Sequence, residues 1–224
     1  MNNNLWNRLD SLVVQINKMF DDHLESFENK KHDQHFEGWS DDFWNSKNIR
    51  KCHLKTIRND KMWLLHINIF PKDSVNLPIL GFDIVASKSK ISGSFFDFSP
   101  NIPGANHALS VLFKNSTKGF EWNKPRELPE WGKEIFSKDM IAAGAIREGE
   151  ELEQLIDVST KLIKLYLISC NDPKLVTNEP TIKYMNKYCK NQKMNRHLHR
   201  SILSMGISEE EKNRYINNVL FEEI

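Results

Sequence analysis

The sequence predicts an α/β protein, a three-layer α/β/α sandwich in which helices cover both faces of a central antiparallel sheet. Three observations lead to this fold class: an amphipathic segment opens the chain, four strand-like segments follow it, and helical segments end it. A sheet that lies between helices in the chain can bury both of its faces. At 224 residues the chain is long enough for a large core, and we expect a single domain over residues 1–224.

The first helix is expected over residues 5–24, because apolar residues recur there every three or four positions. The next segment, residues 25–48, is polar and irregular with scattered aromatic side chains. We interpret it as a loop that drapes over the domain.

Residues 49–98 change to the period of two that is typical of strands. Four segments show this period, at residues 49–58, 61–70, 77–87 and 90–98, and short polar connections separate them. An antiparallel meander is therefore the natural arrangement. If Asn59 and Asp60 form a two-residue hairpin loop, His53 lies directly opposite His66. A slip of one residue in this register would reverse the faces.

After Pro100 the apolar period becomes helical again. We expect a short helix at residues 105–115, a long helix with an acidic start at residues 150–170, and helical segments at residues 181–206 and 208–224. Together with the first helix, these segments are expected to cover the two faces of the sheet.

Charge and cysteine content narrow the class of protein. The 31 basic and 30 acidic side chains leave a formal charge of +1, which suggests neither a nucleic-acid partner nor an anionic membrane surface. Three cysteines without a CxxC spacing make a disulfide framework unexpected and fit a reducing cytoplasm. With no signal peptide and no membrane-length apolar run in view, we expect a soluble, cytoplasmic monomer.

Two polar residues stand inside apolar strands and are the first candidates for chemistry, namely His66 and Asp83. A carboxyl group in an apolar surrounding keeps its proton more readily, so it can donate that proton to a bound substrate, and an imidazole can relay it. The pattern alone leaves two alternatives open, a pair of satisfied core residues or part of a His/Asp metal site.

Other motifs carry less chemical information. The HDQH segment at residues 32–35 and the HLH segment at residues 197–199 are expected at the solvated surface. Gly-rich phosphate loops, GxSxG and Walker patterns do not occur, so a nucleotide held by a standard motif is not expected.

Three longer motifs resemble the ferredoxin-dependent bilin reductases. They are LPILGFDIVASKSKISGSFFDFSP at residues 77–100, RELPEWGKEIFS at residues 126–137 and YINNVLFEEI at residues 215–224. The resemblance runs from about residue 48 to the end of the chain and is weak before it. It implies an α/β/α sandwich that binds biliverdin IXα between the sheet and the C-terminal helices. It also implies no bound flavin, haem or metal, with electrons delivered singly by reduced ferredoxin.

The resemblance assigns roles to individual residues. Asp83 matches the central proton donor of the family, His66 its partner histidine and His53 the second histidine of the sheet. Arg126 and Ser92 match positions that anchor the propionate carboxylates, a task that suits a guanidinium group. Two further polar residues match positions that line the pocket from a C-terminal helix, Gln192 and Asn195.

Three positions depart from the family pattern. Lys55 stands where the phycocyanobilin-forming enzymes have a glutamate that serves reduction of the D-ring vinyl group. Arg196 stands where many members have an aspartate, and His197 where a lysine is usual. An ammonium group is a different acid from a carboxyl, so the Lys55 substitution favours a phage-associated branch that forms phycoerythrobilin by way of 15,16-dihydrobiliverdin. Phycocyanobilin formation and a bilin-binding protein without catalysis are the alternatives.

Overall fold

A computed structural model of the chain describes residues 4–29, 37–102, 107–172 and 175–224. Its centre is a seven-stranded antiparallel sheet whose strands are neighbours in chain order. The strands are β1 Glu25–Ser26, β2 Trp39–Asn45, β3 Ile49–Arg58, β4 Trp63–Pro71, β5 Ile79–Ala86, β6 Ile91–Ser99 and β7 Ile141–Ala143. The predicted meander of four strands is confirmed as β3 to β6.

Seven α-helices accompany this sheet in the described part of the chain. They are α1 Asn4–His23, α2 Ala108–Thr117, α3 Glu130–Lys133, α4 Glu150–Ser169, α5 Ile182–Gln192, α6 Arg196–Leu203 and α7 Glu209–Tyr215. A π-helical turn, Ile216–Leu220, continues α7. None of these helices has both the length and the apolar character that a membrane span requires.

Two hydrophobic clusters show that helices cover both faces of the sheet. One cluster joins α1, α2 and α4 to alternate strand residues such as Cys52, Leu54 and Phe82. The other joins α5, α6, α7 and the π-helical turn to the opposite face, where Phe43 and Phe70 lie. The three-layer α/β/α prediction is therefore confirmed, and the period of two in the strands is explained by burial on both sides.

The hairpin between β3 and β4 corrects the predicted register. Arg58 pairs with Trp63, so the loop has four residues rather than two, and His66 lies opposite Lys55 instead of His53. The side chain of Asn59 explains the longer loop, because its Oδ1 accepts hydrogen bonds from the backbone N–H groups of Lys61 and Met62 at 3.0 and 2.9 Å. Since the shift is two residues, every side chain keeps its predicted face.

The segment at residues 25–48, predicted to be a loop, contains strands β1 and β2. Its aspartates concealed the strand period, because they lower the hydropathy of a segment whose Phe43 and Trp44 are both buried. Phe43 belongs to the cluster under α5 to α7, whereas Trp44 packs in the cluster around α1. The HDQH segment lies outside the described residues.

The C-terminal helices are also divided differently from the prediction. The segment at residues 181–206 forms two helices, because Asn195 ends the connection and caps α6 through its Oδ1, which accepts from the N–H of His197 at 3.0 Å. A capping box between Ser208 and Glu211 starts α7. The following α-helix ends at Tyr215 and becomes the π-helical turn.

Candidate active site

Two rows of polar residues cross the face of the sheet that α5 to α7 cover. In the first row, the ladder pairs Asp41 with Lys55, Lys55 with His66, and His66 with Asp83 across β2 to β5. The second row pairs successive residues of five strands, namely Phe43, His53, Asn68, Gly81 and Asp97. Residues paired in this way point to the same side of the sheet, so the two rows form one patch, which we call the polar patch.

The centre of the polar patch is the His66–Asp83 pair. The Nδ1 atom of His66 lies 2.5 Å from Oδ1 of Asp83, so the two side chains share a short hydrogen bond. His66 is buried, whereas the side chain of Asp83 is 38% exposed. The ring of Phe221 stands edge-on to His66 with 5.9 Å between centroids. Asp83 can therefore meet a ligand while His66 remains behind it.

Three residues hold the other side of His66, and the sequence analysis missed two of them, Asn68 and Tyr188. Asn68 Nδ2 lies 2.8 Å from His66 Nε2, and Tyr188 Oη lies 3.4 Å from Asn68 Oδ1. Gln192, which was predicted, donates from Nε2 to Tyr188 Oη at 2.9 Å. Burial raises the pKa of Tyr188 well above its usual value, so its hydroxyl keeps its proton. Asn68 was detectable in principle, because it follows His66 at the strand period.

Asp41 forms a second buried centre beside this pair. Its Oδ1 lies 2.5 Å from His53 Nε2 and accepts a hydrogen bond from Tyr215 Oη at 2.5 Å, while Trp39 Nε1 donates to Oδ2. His53 also stacks on Phe43 with 4.4 Å between ring centroids. Three donors from β2, β3 and the end of α7 thus compensate a carboxylate that is withdrawn from water.

Lys55 is buried between the two centres. Its Nζ atom lies 3.9 Å from the ring centroid of Trp39 and 4.7 Å from that of Tyr215, which are cation–π distances. Burial lowers the pKa of Lys55 to about 8, against the opposing attraction of Asp41 and Asp83. At neutral pH the side chain is therefore mainly an ammonium ion next to His66.

Lys51 positions the end of the chain over the polar patch. Its buried Nζ atom donates to the carbonyl oxygens of Val219 and Leu220 at 2.5 and 3.1 Å. These carbonyl groups belong to the π-helical turn, which directly precedes Phe221. Lys51 thus satisfies two carbonyl groups that have no helical partner at the irregular end of the helix. It thereby fixes the ring of Phe221, which contacts His66.

Arg126 and Ser92, both assigned to propionate binding by the resemblance, lie together at the edge of the sheet. The guanidinium group of Arg126 donates to the backbone oxygen of Ser92. Ser92 lies in a bulge, because Val85 pairs with Gly93 and Ala86 with Ile91. The side chain of Arg126 is exposed at this edge of the sheet.

The remaining predicted residues lie on or near α6. Asn195 is the N-cap of this helix, and its side-chain oxygen is engaged by backbone N–H groups. Arg196 and His197 are exposed in the first turn. Their assignment to a binding pocket stays a prediction.

The neutral His53 implies a stability that depends on pH. Burial lowers its pKa to about 4, whereas an unfolded histidine titrates near pH 6.5. Below about pH 6.5 the imidazole therefore binds a proton in the unfolded chain but not in the folded protein. As the pH decreases further, this group lowers the free energy of unfolding by up to ~1.4 kcal/mol per pH unit.

We expect the wild-type protein to lose more stability than His53→Gln between about pH 7.5 and about pH 5, because glutamine can still donate to Asp41 but does not titrate. Urea unfolding of both proteins at the two pH values measures the difference. Equal losses in the two proteins would contradict the assignment of a neutral, buried His53.

No group of three or more His, Cys, Asp or Glu side chains is arranged to hold a metal ion within the described ranges. All three cysteines are buried and free. The polar patch combines a half-exposed carboxyl backed by an imidazole with a buried ammonium and a second imidazole.

Comparison with known proteins places this chain in a family. The model of the family described as ferredoxin-dependent bilin reductase matches residues 3–222. A phycocyanobilin:ferredoxin oxidoreductase of Prochlorococcus marinus is 31% identical over an alignment of 187 residues, and the match covers 79% of this chain and 72% of that protein. A second such enzyme, from Trichodesmium erythraeum, is 28% identical over an alignment of 181 residues, and the match covers 78% of this chain and 72% of that protein.

Two solved structures share the fold. The structure of PcyX superposes with a TM-score of 0.69 at 21% identity, covering 96% of this chain and 99% of its own. The crystal structure of tomato phytochromobilin synthase in complex with biliverdin gives a TM-score of 0.73 at 14% identity, covering 95% and 82%. At these identities the likeness concerns the fold.

The fold is an α/β/α sandwich, and one face of its sheet carries a patch of side chains that can hold protons. With nearly the whole chain matched, the protein belongs to the ferredoxin-dependent bilin reductases. The recognition made from the three sequence motifs is thereby confirmed at the level of the family.

Proposed function

We propose that this protein reduces biliverdin IXα to phycoerythrobilin by way of 15,16-dihydrobiliverdin, with reduced ferredoxin as the electron donor. The overall reaction adds four electrons and four protons, two of each in either step. The first step reduces the C15–C16 bridge, and the second reduces the diene system of ring A. The tomato neighbour in complex with biliverdin supports this choice of substrate.

The observation that carries the proposal is the His66–Asp83 hydrogen bond at 2.5 Å, with Asp83 half-exposed on the helix-covered face. Ferredoxin delivers one electron at a time, so each bilin radical must be protonated before or after the next electron arrives. Asp83 is placed to give that proton to the bilin, and His66 is placed to hold or replace it. The protein itself then needs no bound flavin, haem or metal, because it supplies only protons and position.

The substrate would lie between the sheet and the C-terminal layer. Its propionate groups would meet Arg126 at the edge marked by Ser92, while its pyrrole nitrogens would lie over Asp83. Five further residues are proposed to line or flank the pocket, namely His53, Gln192, Asn195, Arg196 and His197. Two of them are buried, His53 in the polar patch and Gln192 on α5. The other three would contribute from the start of α6.

Lys55 supports phycoerythrobilin rather than phycocyanobilin as the product. Reduction of the D-ring vinyl group needs an acid beside that group, and the buried ammonium with its pKa of about 8 is a weaker acid than a carboxyl. Of the three carboxyl groups of the patch, Asp41 and Asp97 are buried and Asp83 is partly exposed, so Asp83 is the proposed donor, and it directs reduction away from ring D. The resemblance of the fold to PcyX is compatible with this choice.

Replacing Arg126 by alanine is expected to raise KM for biliverdin about tenfold while changing kcat by less than about twofold, because it removes a carboxylate anchor far from the reacting carbons. Initial rates at a series of biliverdin concentrations measure both constants. Arg147→Ala, which removes another exposed arginine, serves as the matched control. A fall in kcat with an unchanged KM would contradict the anchoring role.

Turnover with substrate in excess tests the proposed function. Under anaerobic conditions with ferredoxin and a system that reduces it, the absorbance of biliverdin should decline well beyond one equivalent per protein. A protein that only stores or delivers the pigment would change the spectrum on binding and then stop. Absence of any reduction under these conditions would refute the proposed activity.

A further inference from the structure

Four side chains behind Asp83 form a continuous hydrogen-bond chain with one direction. Gln192 Nε2 donates to Tyr188 Oη at 2.9 Å, and Tyr188 Oη donates to Asn68 Oδ1 at 3.4 Å. Asn68 Nδ2 donates to His66 Nε2 at 2.8 Å, which leaves the ring proton on Nδ1, facing Asp83 Oδ1 at 2.5 Å. In this direction His66 is a neutral donor and Asp83 is its acceptor.

The hydrogen-bond chain is buried, and a glycine on the neighbouring strand leaves room for it. Asn68 and Tyr188 are 1% and 2% exposed, so their polar groups depend on each other rather than on water. Gly81, the ladder partner of Asn68, leaves room for the hydroxyl group: a Cβ atom there would lie 3.0 Å from Tyr188 Oη and 3.5 Å from Asn68 Oδ1. A side chain at this position would push the tyrosine away from the sheet.

Every member of the hydrogen-bond chain can exchange its donor and acceptor roles. If both amide groups turn over, Tyr188 donates to Gln192 Oε1 and accepts from Asn68 Nδ2, and Asn68 Oδ1 accepts from His66 Nε2–H. The ring proton is then on Nε2, and Nδ1 can accept a hydrogen bond from a protonated Asp83. No donor or acceptor of the chain loses its partner in either direction.

We infer that Asn68, Tyr188 and Gln192 act as positioning residues that switch the tautomer of His66, and thereby decide whether Asp83 faces His66 as a carboxylate or as a carboxylic acid. This deepens the proposed function, on which its catalytic meaning rests. The two directions differ by one proton, which comes from solvent. In that exchange the Nδ1–H bond of His66 breaks and its proton forms the O–H bond of Asp83, while Nε2 takes up the proton from solvent. Donation to the bilin breaks this O–H bond again.

Charged, titratable and aromatic groups from several elements face His66. Lys55 lies opposite it on β3, and the ring of His53, from the same strand as Lys55, lies 6.0 Å away. Asp83 faces it from β5, and the C-terminal layer contributes Tyr188 from α5 and the uncharged ring of Phe221. Within this environment, the hydrogen-bond chain is thus the part that can reverse the direction of its hydrogen bonds without moving the backbone.

Nitrogen NMR of histidine-labelled protein without substrate tests the inference, since the two ring nitrogens report which of them carries hydrogen. The His66 signals are assigned by their loss in His66→Gln. For the wild-type protein at about pH 7.5 we expect a proton on Nδ1 and a bare Nε2. For Asn68→Asp, whose carboxylate can only accept, we expect hydrogen on Nε2 at the same pH.

Tyr188→Phe removes the hydroxyl that orients Asn68 and should give a mixture of both tautomers, whereas Tyr184→Phe, one turn earlier on α5, should match the wild type. If Asn68→Asp does not fold, the wild type and Tyr188→Phe decide the matter. A wild-type Nε2–H tautomer, or an unchanged tautomer in Tyr188→Phe, would overturn the inference.

Turnover supplies a second readout. We expect Tyr188→Phe to lower kcat by about fivefold to tenfold with little change in KM, since the phenol acts through His66 and not on the substrate. A tautomer shift with unchanged kcat would overturn the catalytic role of the chain. If the wild-type protein shows the expected tautomer but no turnover, the proposed function fails and the switch itself does not.

Discussion

Asp83→Asn is expected to bind biliverdin and to lower kcat/KM for its reduction by about a thousandfold, within the usual range for loss of a general acid. The amide keeps the shape of the carboxyl and can still engage His66, so the pocket should remain intact. It cannot release a proton to the bilin. The first electron should therefore arrive normally, and a bilin radical should persist in place of the two-electron product.

Stopped-flow absorbance under anaerobic conditions follows the decay of that radical, and electron paramagnetic resonance confirms its unpaired spin. Asp60→Asn, an exposed aspartate in the β3–β4 loop, is the control and should turn over like the wild type. Wild-type turnover in Asp83→Asn would show that another group donates the proton.

Lys55→Glu is expected to change the product, and it has the second largest expected effect. The new carboxyl would be buried beside Asp41, its ladder partner, and opposite His66. Burial and the neighbouring carboxylate both disfavour its charged form, so it should keep a proton near neutral pH. A proton donor would then stand where the phycocyanobilin-forming relatives are expected to have one, and bilins with a reduced ring-D vinyl group should form.

Lys55→Met separates the new donor from the lost charge. This substitution removes the ammonium group that lies over Trp39 and Tyr215 without adding an acid, so it should not yield a ring-D ethyl group. Chromatography of the extracted pigments from both variants gives the comparison. An unchanged product in a folded, active Lys55→Glu would contradict the role given to position 55.

The sequence was most informative where burial imposes a period. Strands β3 to β6 alternate between two hydrophobic clusters, and this alternation is visible in the residues themselves. His66 and Asp83 were found for the same reason, since a polar residue is conspicuous in an apolar strand. Their direct pairing across β4 and β5 follows from a connection whose register the sequence could not fix.

The sequence was least informative where polar residues are compensated by distant partners. Asp41 looks like a loop residue, because its partners His53 and Tyr215 lie 12 and 174 positions away in the chain. Tyr188, which takes part in the hydrogen-bond chain behind His66, lies 120 positions beyond Asn68 in the sequence. Such long-range hydrogen bonds leave no period in the sequence.

Chromatographic identification of the product of the wild-type enzyme tests the central claim most directly. With biliverdin IXα in excess, ferredoxin and a reducing system, the extracted pigment should match a phycoerythrobilin standard, and 15,16-dihydrobiliverdin should rise and fall before it. A final product with an ethyl group on ring D would contradict the claim, because it would show that this site protonates the D-ring vinyl group despite Lys55.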